Sequence, residues 1–232
     1  MKKFYLLVLV SIALNNVFSA NAQSTIVAGG DQALTTLPVN LAVLGGNSLS
    51  MADASFEDAE RYERFGDFDN AIAMFNKAAS EYQQTKKFNR YGATLIRLSS
   101  VYMMLSNYSE AERIVLKQVL RNYSRIGSKA GQMSAYQQLG KIYLAANKLP
   151  QSLWFYTQHG ILAQQLHDNN AYIESILGIA SVKIKKKDYL LAVRDLNTAE
   201  LLSKDAKTVQ YNHQIKSNRA LIAERTTVIK KG

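Results

Sequence analysis

Small and bulky apolar residues recur at regular intervals among polar ones from Met51 to near the end of the chain. In this region glycine becomes less frequent and Pro150 is the only proline. Ala, Leu, Gln, Lys and Glu dominate, and these residues favour helix. The pattern therefore predicts a chain that is helical from residue 51 onward.

One segment occurs four times in this helical region. It begins at Gly66 and recurs from Ser106, Asn147 and Lys187, with steps of 40, 41 and 40 residues between successive starts. Such a sustained period indicates a repeat architecture in which each copy forms one structural unit. The 232-residue chain is long enough for one short array of this kind.

The copies share residue types at equivalent positions. Small side chains precede and follow the start of each segment, where they would let two antiparallel helices approach closely. They are Ala59, Ser99, Gly140 and Ala180 on the first helix and Ala71, Ala111, Ser152 and Ala192 on the second. Residues that end one helix and cap the next lie between them. Each copy is therefore predicted to be a helical hairpin.

These positions resemble the tetratricopeptide repeat (TPR) pattern, a Leu-Gly pair followed by Tyr and then by Gly-x-Tyr before Ala, Phe and Ala. Leu139-Gly140-Lys141-Ile142-Tyr143 is the clearest copy, and the resemblance covers residues 51–204. A period near 40 exceeds the usual length of about 34 residues. It is similar to the longer-helix variant found in some bacterial sensor proteins and eukaryotic polarity adaptors.

The resemblance implies an all-α fold, a right-handed α-solenoid of about four TPR-like hairpins. Residues 205–232 are expected to form a C-terminal capping helix and a basic tail, because a solenoid exposes the apolar flank of its last repeat. Some positions depart from the TPR pattern. Gln118 and His159 replace the usual alanine late in the second helix, and Lys183 replaces the tyrosine of the fourth copy.

In this family the first helices line a concave face. The residues that the resemblance places there form a surface that grades from acidic, through an apolar patch with two methionines, to mixed polar and basic. They are Phe56, Glu60, Glu63, Ile96, Ser100, Met103, Met104, Gln137, Lys141, Leu144, Leu177 and Ser181. Such a surface suits an extended or helical peptide with an apolar anchor. The alternative is that several of these side chains pack between helices.

A basic patch lies at the turn of the last hairpin and comprises Lys183, Lys185, Lys186 and Lys187. It could hold an anionic partner such as an acidic glycan or glycolipid, or it could be a solvated turn. Trp154 could anchor a partner or pack against the next repeat. The three histidines of the chain are expected at the surface or between repeats.

The start of the chain has the order of a secretory signal. Met1, Lys2 and Lys3 precede a short apolar stretch and the triplet Ala20-Asn21-Ala22. Residues 1–22 are therefore predicted to be a signal peptide cleaved before Gln23, and residues 23–50, rich in glycine and poor in charge, a flexible leader. The mature protein is expected to be soluble, without a membrane span, and periplasmic or secreted.

Composition narrows the remaining function classes. The chain has no cysteine, which excludes disulfides and thiolate metal sites. It contains no motif for a zinc site, a phosphate loop, a dinucleotide or a nucleophile elbow, so neither a metal nor a cofactor is predicted. An enzyme would have only a dispersed acid pair such as Glu60 and Glu63 for acid–base chemistry.

The leading hypothesis is an exported interaction scaffold that binds a protein or peptide partner. The alternative is recognition of an acidic glycan or glycolipid through the basic patch. The formal net charge of +10 favours anionic surfaces, but export argues against nucleic acid as the target. The sequence leaves the oligomeric state and the identity of the partner open.

Overall fold

The structure is a computed structural model that describes residues 50–231, with side chains described up to Thr227. The predicted signal peptide, residues 1–22, and nearly all of the predicted leader, residues 23–50, lie outside the described part. Ser50, the first described residue, caps the first helix by accepting a hydrogen bond from the backbone N–H of Asp53.

The described chain forms ten α-helices and one π-helical segment. The helices are α1 (Met51–Phe65), α2 (Phe68–Gln84), α3 (Phe88–Met104), α4 (Tyr108–Ile114), α5 (Leu120–Arg125), α6 (Lys129–Ala145), α7 (Leu149–Gln165), α8 (Asn169–Lys185), α9 (Tyr189–Asp205) and α10 (Asn212–Lys231). The π-helical segment Val115–Val119 joins α4 to α5 into one continuous second helix. The all-α solenoid fold is confirmed.

Helices pack in the order in which they follow one another along the chain. Each copy of the repeat forms a hairpin, α1 with α2, α3 with α4 and α5, α6 with α7, and α8 with α9. Helix α10 packs on α9 and α8, where Ile215 and Ile222 are buried in the same apolar cluster as Leu177 and Leu196. It therefore covers the apolar flank of the last hairpin, as a terminal helix of a solenoid does.

The eight small residues that recur in the sequence are all buried at the crossing of the two helices of a hairpin. In the third hairpin the Ser152 hydroxyl donates a hydrogen bond of 2.8 Å to the carbonyl oxygen of Gly140. This bond joins α6 to α7 at the two small residues that the repeat pattern places opposite each other. The small residues are thus buried in all four hairpins, and in the third the predicted close approach of the two helices is confirmed.

Two tyrosines fill the gaps that glycines leave between hairpins. Tyr123 is 5% exposed, and a Cβ added at Gly92 or Gly131 would lie 2.4 Å and 2.1 Å from its ring. Tyr156 lies in the same way against Gly140 and Gly178. Glycine is required on these helices because the aromatic ring occupies the place of a Cβ.

The π-helical segment accounts for the one repeat that is longer than the others. Helices α2, α7 and α9 each have 17 residues, whereas α4, the π-helical segment and α5 have 7, 5 and 6, or 18 in all. The extra residue matches the step of 41 and is accommodated inside the helix. The alignment of Gln118 with the alanine position is therefore wrong. Val119, fully buried like Ala78 and Ala199, occupies that position.

His159 is 1% exposed, so it is a core residue of the third hairpin and does not lie at the surface, whereas His167 and His213 are exposed. Its Nδ1 has no hydrogen-bond partner among the described residues. Burial, with a further contribution from Lys141, lowers the pKa of His159 from 6.5 to about 4. The folded state therefore holds this imidazole in its neutral form.

The first prediction concerns Gly131→Ala. In a free helix this change stabilises by up to about 1 kcal/mol, but here the new Cβ would collide with the buried ring of Tyr123. We expect a loss of about 1–3 kcal/mol, which lowers the Tm by several degrees in thermal unfolding followed by circular dichroism. Ser134→Ala on the exposed side of α6 is the control. A Tm at or above that of the wild type would contradict the packing of Tyr123.

The second prediction tests the π-helical segment by deletion. Removing Gln118 should restore a 17-residue helix with both flanks still in register, so stability should change by no more than about 1 kcal/mol. Removing the exposed Thr157 from the regular helix α7 rotates every later side chain by about 100° and should prevent normal packing. Urea unfolding of both deletions measures the difference. Equal destabilisation would refute this account of the 41-residue step.

The third prediction concerns pH. The folded-state pKa of His159 lies below its unfolded-state value, so the unfolded chain binds more protons between these values, and stability falls as the pH decreases through this window. The contribution amounts to about 2 kcal/mol between pH 7.5 and pH 5. His159→Leu should remove this part of the loss in urea unfolding at the two pH values. An unchanged pH dependence in the variant would contradict the burial of a neutral histidine.

Candidate binding surface

The surface formed by the first helix of each hairpin, α1, α3, α6 and α8, is here called the first-helix face. At its start Arg97 reaches from α3 to α1, where its guanidinium lies 2.6 Å from Glu63 and 3.3 Å from Glu60. Both acidic residues were predicted on this face, but Arg97 was not. Its position holds Gln138 and Gly178 in later copies, so no repeated pattern indicated it.

Two further contacts continue this linkage along the array. The Gln138 amide donates hydrogen bonds of 3.0 Å to the hydroxyls of Ser99 and Ser100, joining α6 to α3. The Gln137 amide donates to Glu174 on α8 at 2.6 Å. Every pair of neighbouring first helices is therefore connected by polar side chains.

Burial of the Glu63 carboxyl raises its pKa, and the nearby Arg97 partly opposes that increase. Because Arg97 bridges both carboxylates, these groups are held as ion-pair partners. Through Arg97 the two glutamates connect α1 of the first repeat to α3 of the second.

The residues predicted to line the concave face differ in how far their side chains are exposed. Phe56, Ile96 and Met103 are half-buried and pack against the core of the first three hairpins. Glu60, Glu63, Ser100, Gln137, Leu144 and Ser181 are also half-buried, whereas Met104 and Lys141 are exposed. Leu177 is 1% exposed and belongs to the core beneath α10, so its side chain is not available to a partner.

The basic patch is largely engaged in contacts within the protein. Lys183 lies 2.7 Å from the Asp195 carboxylate, and Lys186 lies 3.2 Å from Asp188. Lys185 donates to the carbonyl oxygen of Leu144 at 2.9 Å. Lys187 adopts a left-handed backbone conformation, φ 66°, at the end of α8. The patch thus comprises the last turn of α8 and the start of the turn that joins α8 to α9.

An exposed aromatic group on α7 was only partly anticipated. Trp154 is 53% exposed, and its ring meets Phe155 edge-on at 4.6 Å and Tyr136 at 6.3 Å between centroids. It therefore contacts its own hairpin and keeps about half of its surface open to solvent. The aromatic contacts of Trp154 lie within its own hairpin, and its packing against the next repeat stays a prediction.

Within residues 50–227 no group of three or more His, Asp and Glu side chains is arranged to hold a metal ion. The helices of the same part include none with the length and apolarity needed to cross a membrane.

No protein-family model matches the sequence, and no curated protein matches it. Solved structures match it in fold. BtubC (BKLC) from P. vanneervenii shares 16% identity with a TM-score of 0.59 over 68% of this chain, which spans 65% of BtubC, slightly less than two thirds. The apo form of RapI shares 10% identity with a TM-score of 0.61, covering 80% of this chain and 73% of RapI.

A putative kinesin light chain from Podosopora anserina, with nearly identical TPR-like repeats, shares 15% identity with a TM-score of 0.59. The match covers 80% of this chain and 90% of that protein. At such identities the likeness concerns the fold alone. This chain has a TPR-type repeat fold.

Proposed function

We propose that this protein is an exported interaction scaffold that binds a protein or peptide partner on its first-helix face. The observation that carries the proposal is the polar linkage between successive first helices through Arg97, Gln138 and Gln137. Binding costs less ordering entropy when the receiving surface is already held in place. A face fixed across four repeats suits an elongated partner segment.

The apolar anchor of this partner would bind near the end of α3. Met104 and Leu105 are 46% and 44% exposed, and Met103 lies half-buried beside them. Methionine adapts to irregular apolar surfaces and is frequent where partners vary. The exposed Lys141 on α6 supplies a charge that would orient an acidic group of the partner.

We assign binding rather than catalysis to this face. Glu60 and Glu63 were the acid pair with which an enzyme hypothesis could start, and both interact with Arg97. A carboxylate that acts as a general base must be free to accept the proton that it removes and lie close to it. The order of residues 1–22 supports export to a periplasm or to the outside of the cell.

The fourth prediction tests the first-helix face. Met104→Ser combined with Lys141→Glu should lower the capture of native partner proteins by at least about tenfold, because both the apolar and the charged contact are lost. Tagged variant and wild type are incubated with extract of the native host, and bound proteins are quantified by mass spectrometry.

Leu201→Ser combined with Lys77→Glu is the matched control, since it makes the same kinds of change at exposed positions of second helices. Its captured proteins should equal those of the wild type. If the first variant keeps the full set of partners while its Tm is unchanged, the first-helix face is not the binding surface.

A further inference from the structure

A cavity of about 220 Å³ lies between α2, α3 and α5, next to the π-helical segment, and none of the residues named above for the first-helix face is among those that line it. Three cationic side chains line it together with three amide side chains and Tyr91. They are Lys117, Arg121 and Arg125, and Gln83, Gln118 and Asn122. No carboxylate from the described part of the chain is among the lining groups.

The three cations have no acidic partner nearby. Among the side chains described, no carboxylate lies within 4.0 Å of Lys117, Arg121 or Arg125. The Arg125 guanidinium lies 4.4 Å from the ring centroid of Phe88, a cation–π contact that fixes its position. An anion entering the cavity would therefore meet two guanidinium groups, one of them already oriented.

Asn122 supplies the second observation. It is 4% exposed, and its Nδ2 donates a hydrogen bond of 2.8 Å to the carbonyl oxygen of Phe88, which fixes the orientation of the amide. Its Oδ1 is buried and has no donor among the described residues. Buried acceptors normally have a hydrogen-bond partner, so Asn122 leaves an unsatisfied acceptor at the wall of the cavity, which a donor entering beside it would satisfy.

The site occurs in one repeat only. Counted from the ends of the second helices, the position of Asn122 is occupied by Glu81, Leu162 and Leu202 in the other copies. Lys117 and Gln118 lie within the π-helical segment, whereas the second helices of the other copies are regular α-helices. Helical segments of this kind are frequent at functional sites.

We propose that this cavity binds the acidic side chain of a peptide. Its carboxylate lies between Arg121 and Arg125, and the adjacent peptide N–H donates to Asn122 Oδ1. Cavities for whole small molecules usually measure about 300–1,000 Å³, so this one matches a single side chain. Sulfate and phosphomonoester dianions carry no donor for Oδ1, whereas every acidic residue of a peptide has an N–H close to its carboxylate.

The fifth prediction is tested by fluorescence anisotropy with the purified protein and a labelled decapeptide of alternating Glu and Gly. The wild type should bind this peptide and not the equivalent with Gln in place of Glu. Arg121→Gln with Arg125→Gln should weaken binding by about tenfold or more, because charge-assisted hydrogen bonds are lost. Asn122→Leu should weaken it about threefold or more, with normal folding, since leucine occupies this position in two other copies.

The control Lys77→Gln with Arg194→Gln removes the same charge from exposed sites on α2 and α9 and should change binding by less than about twofold. The proposal is overturned if the wild type does not bind the peptide or if the control loses as much affinity as the Arg121 and Arg125 variant. It is also overturned if inorganic phosphate or an oligogalacturonate binds the cavity and the peptide does not. The Met104 and Lys141 variant should bind the peptide normally, which separates this site from the first-helix face.

Discussion

The close crossing of two helices in each hairpin is the constraint on which the rest of this structure depends. The interior at every crossing is filled by Ala, Ser or Gly, so the axes approach until backbone and small side chains meet. Bulky neighbours such as Phe75 and Leu196 then become fully buried in the spaces beside the crossing. Because each hairpin contacts mainly its neighbours, stability is built up step by step along the array.

The same crossings orient the side chains of the first helices. Once the axes are fixed, Arg97 reaches Glu60 and Glu63, and Gln138 reaches Ser99 and Ser100. None of these contacts creates the fold. They connect each first helix to the next, so the first-helix face extends across the repeats as one linked surface.

The sequence predicted the features that repeat, and it missed those that occur once. Period, hairpins and small residues were predictable because the same physical requirement returns in every copy. Arg97 was not, since its contact depends on how far a long side chain reaches across one particular gap. Leu177 became buried because α10 packs over the last hairpin, a contact that occurs once. His159, in contrast, lies at a position that is buried in every copy, as Ala78, Val119 and Ala199 are. The step of 41 was visible in the sequence, but a change in helical winding has no signature of its own.

The π-helical segment shows what a single inserted residue does in a protein of this type. An insertion in the interior of a globular domain usually disturbs many contacts, because distant parts of the chain share one core. In this array the insertion stays within one helix, and Tyr123 still packs between Gly92 and Gly131. A lineage could therefore acquire new surface chemistry in one repeat by a three-nucleotide insertion, while the other repeats remained unaltered and free to diverge separately.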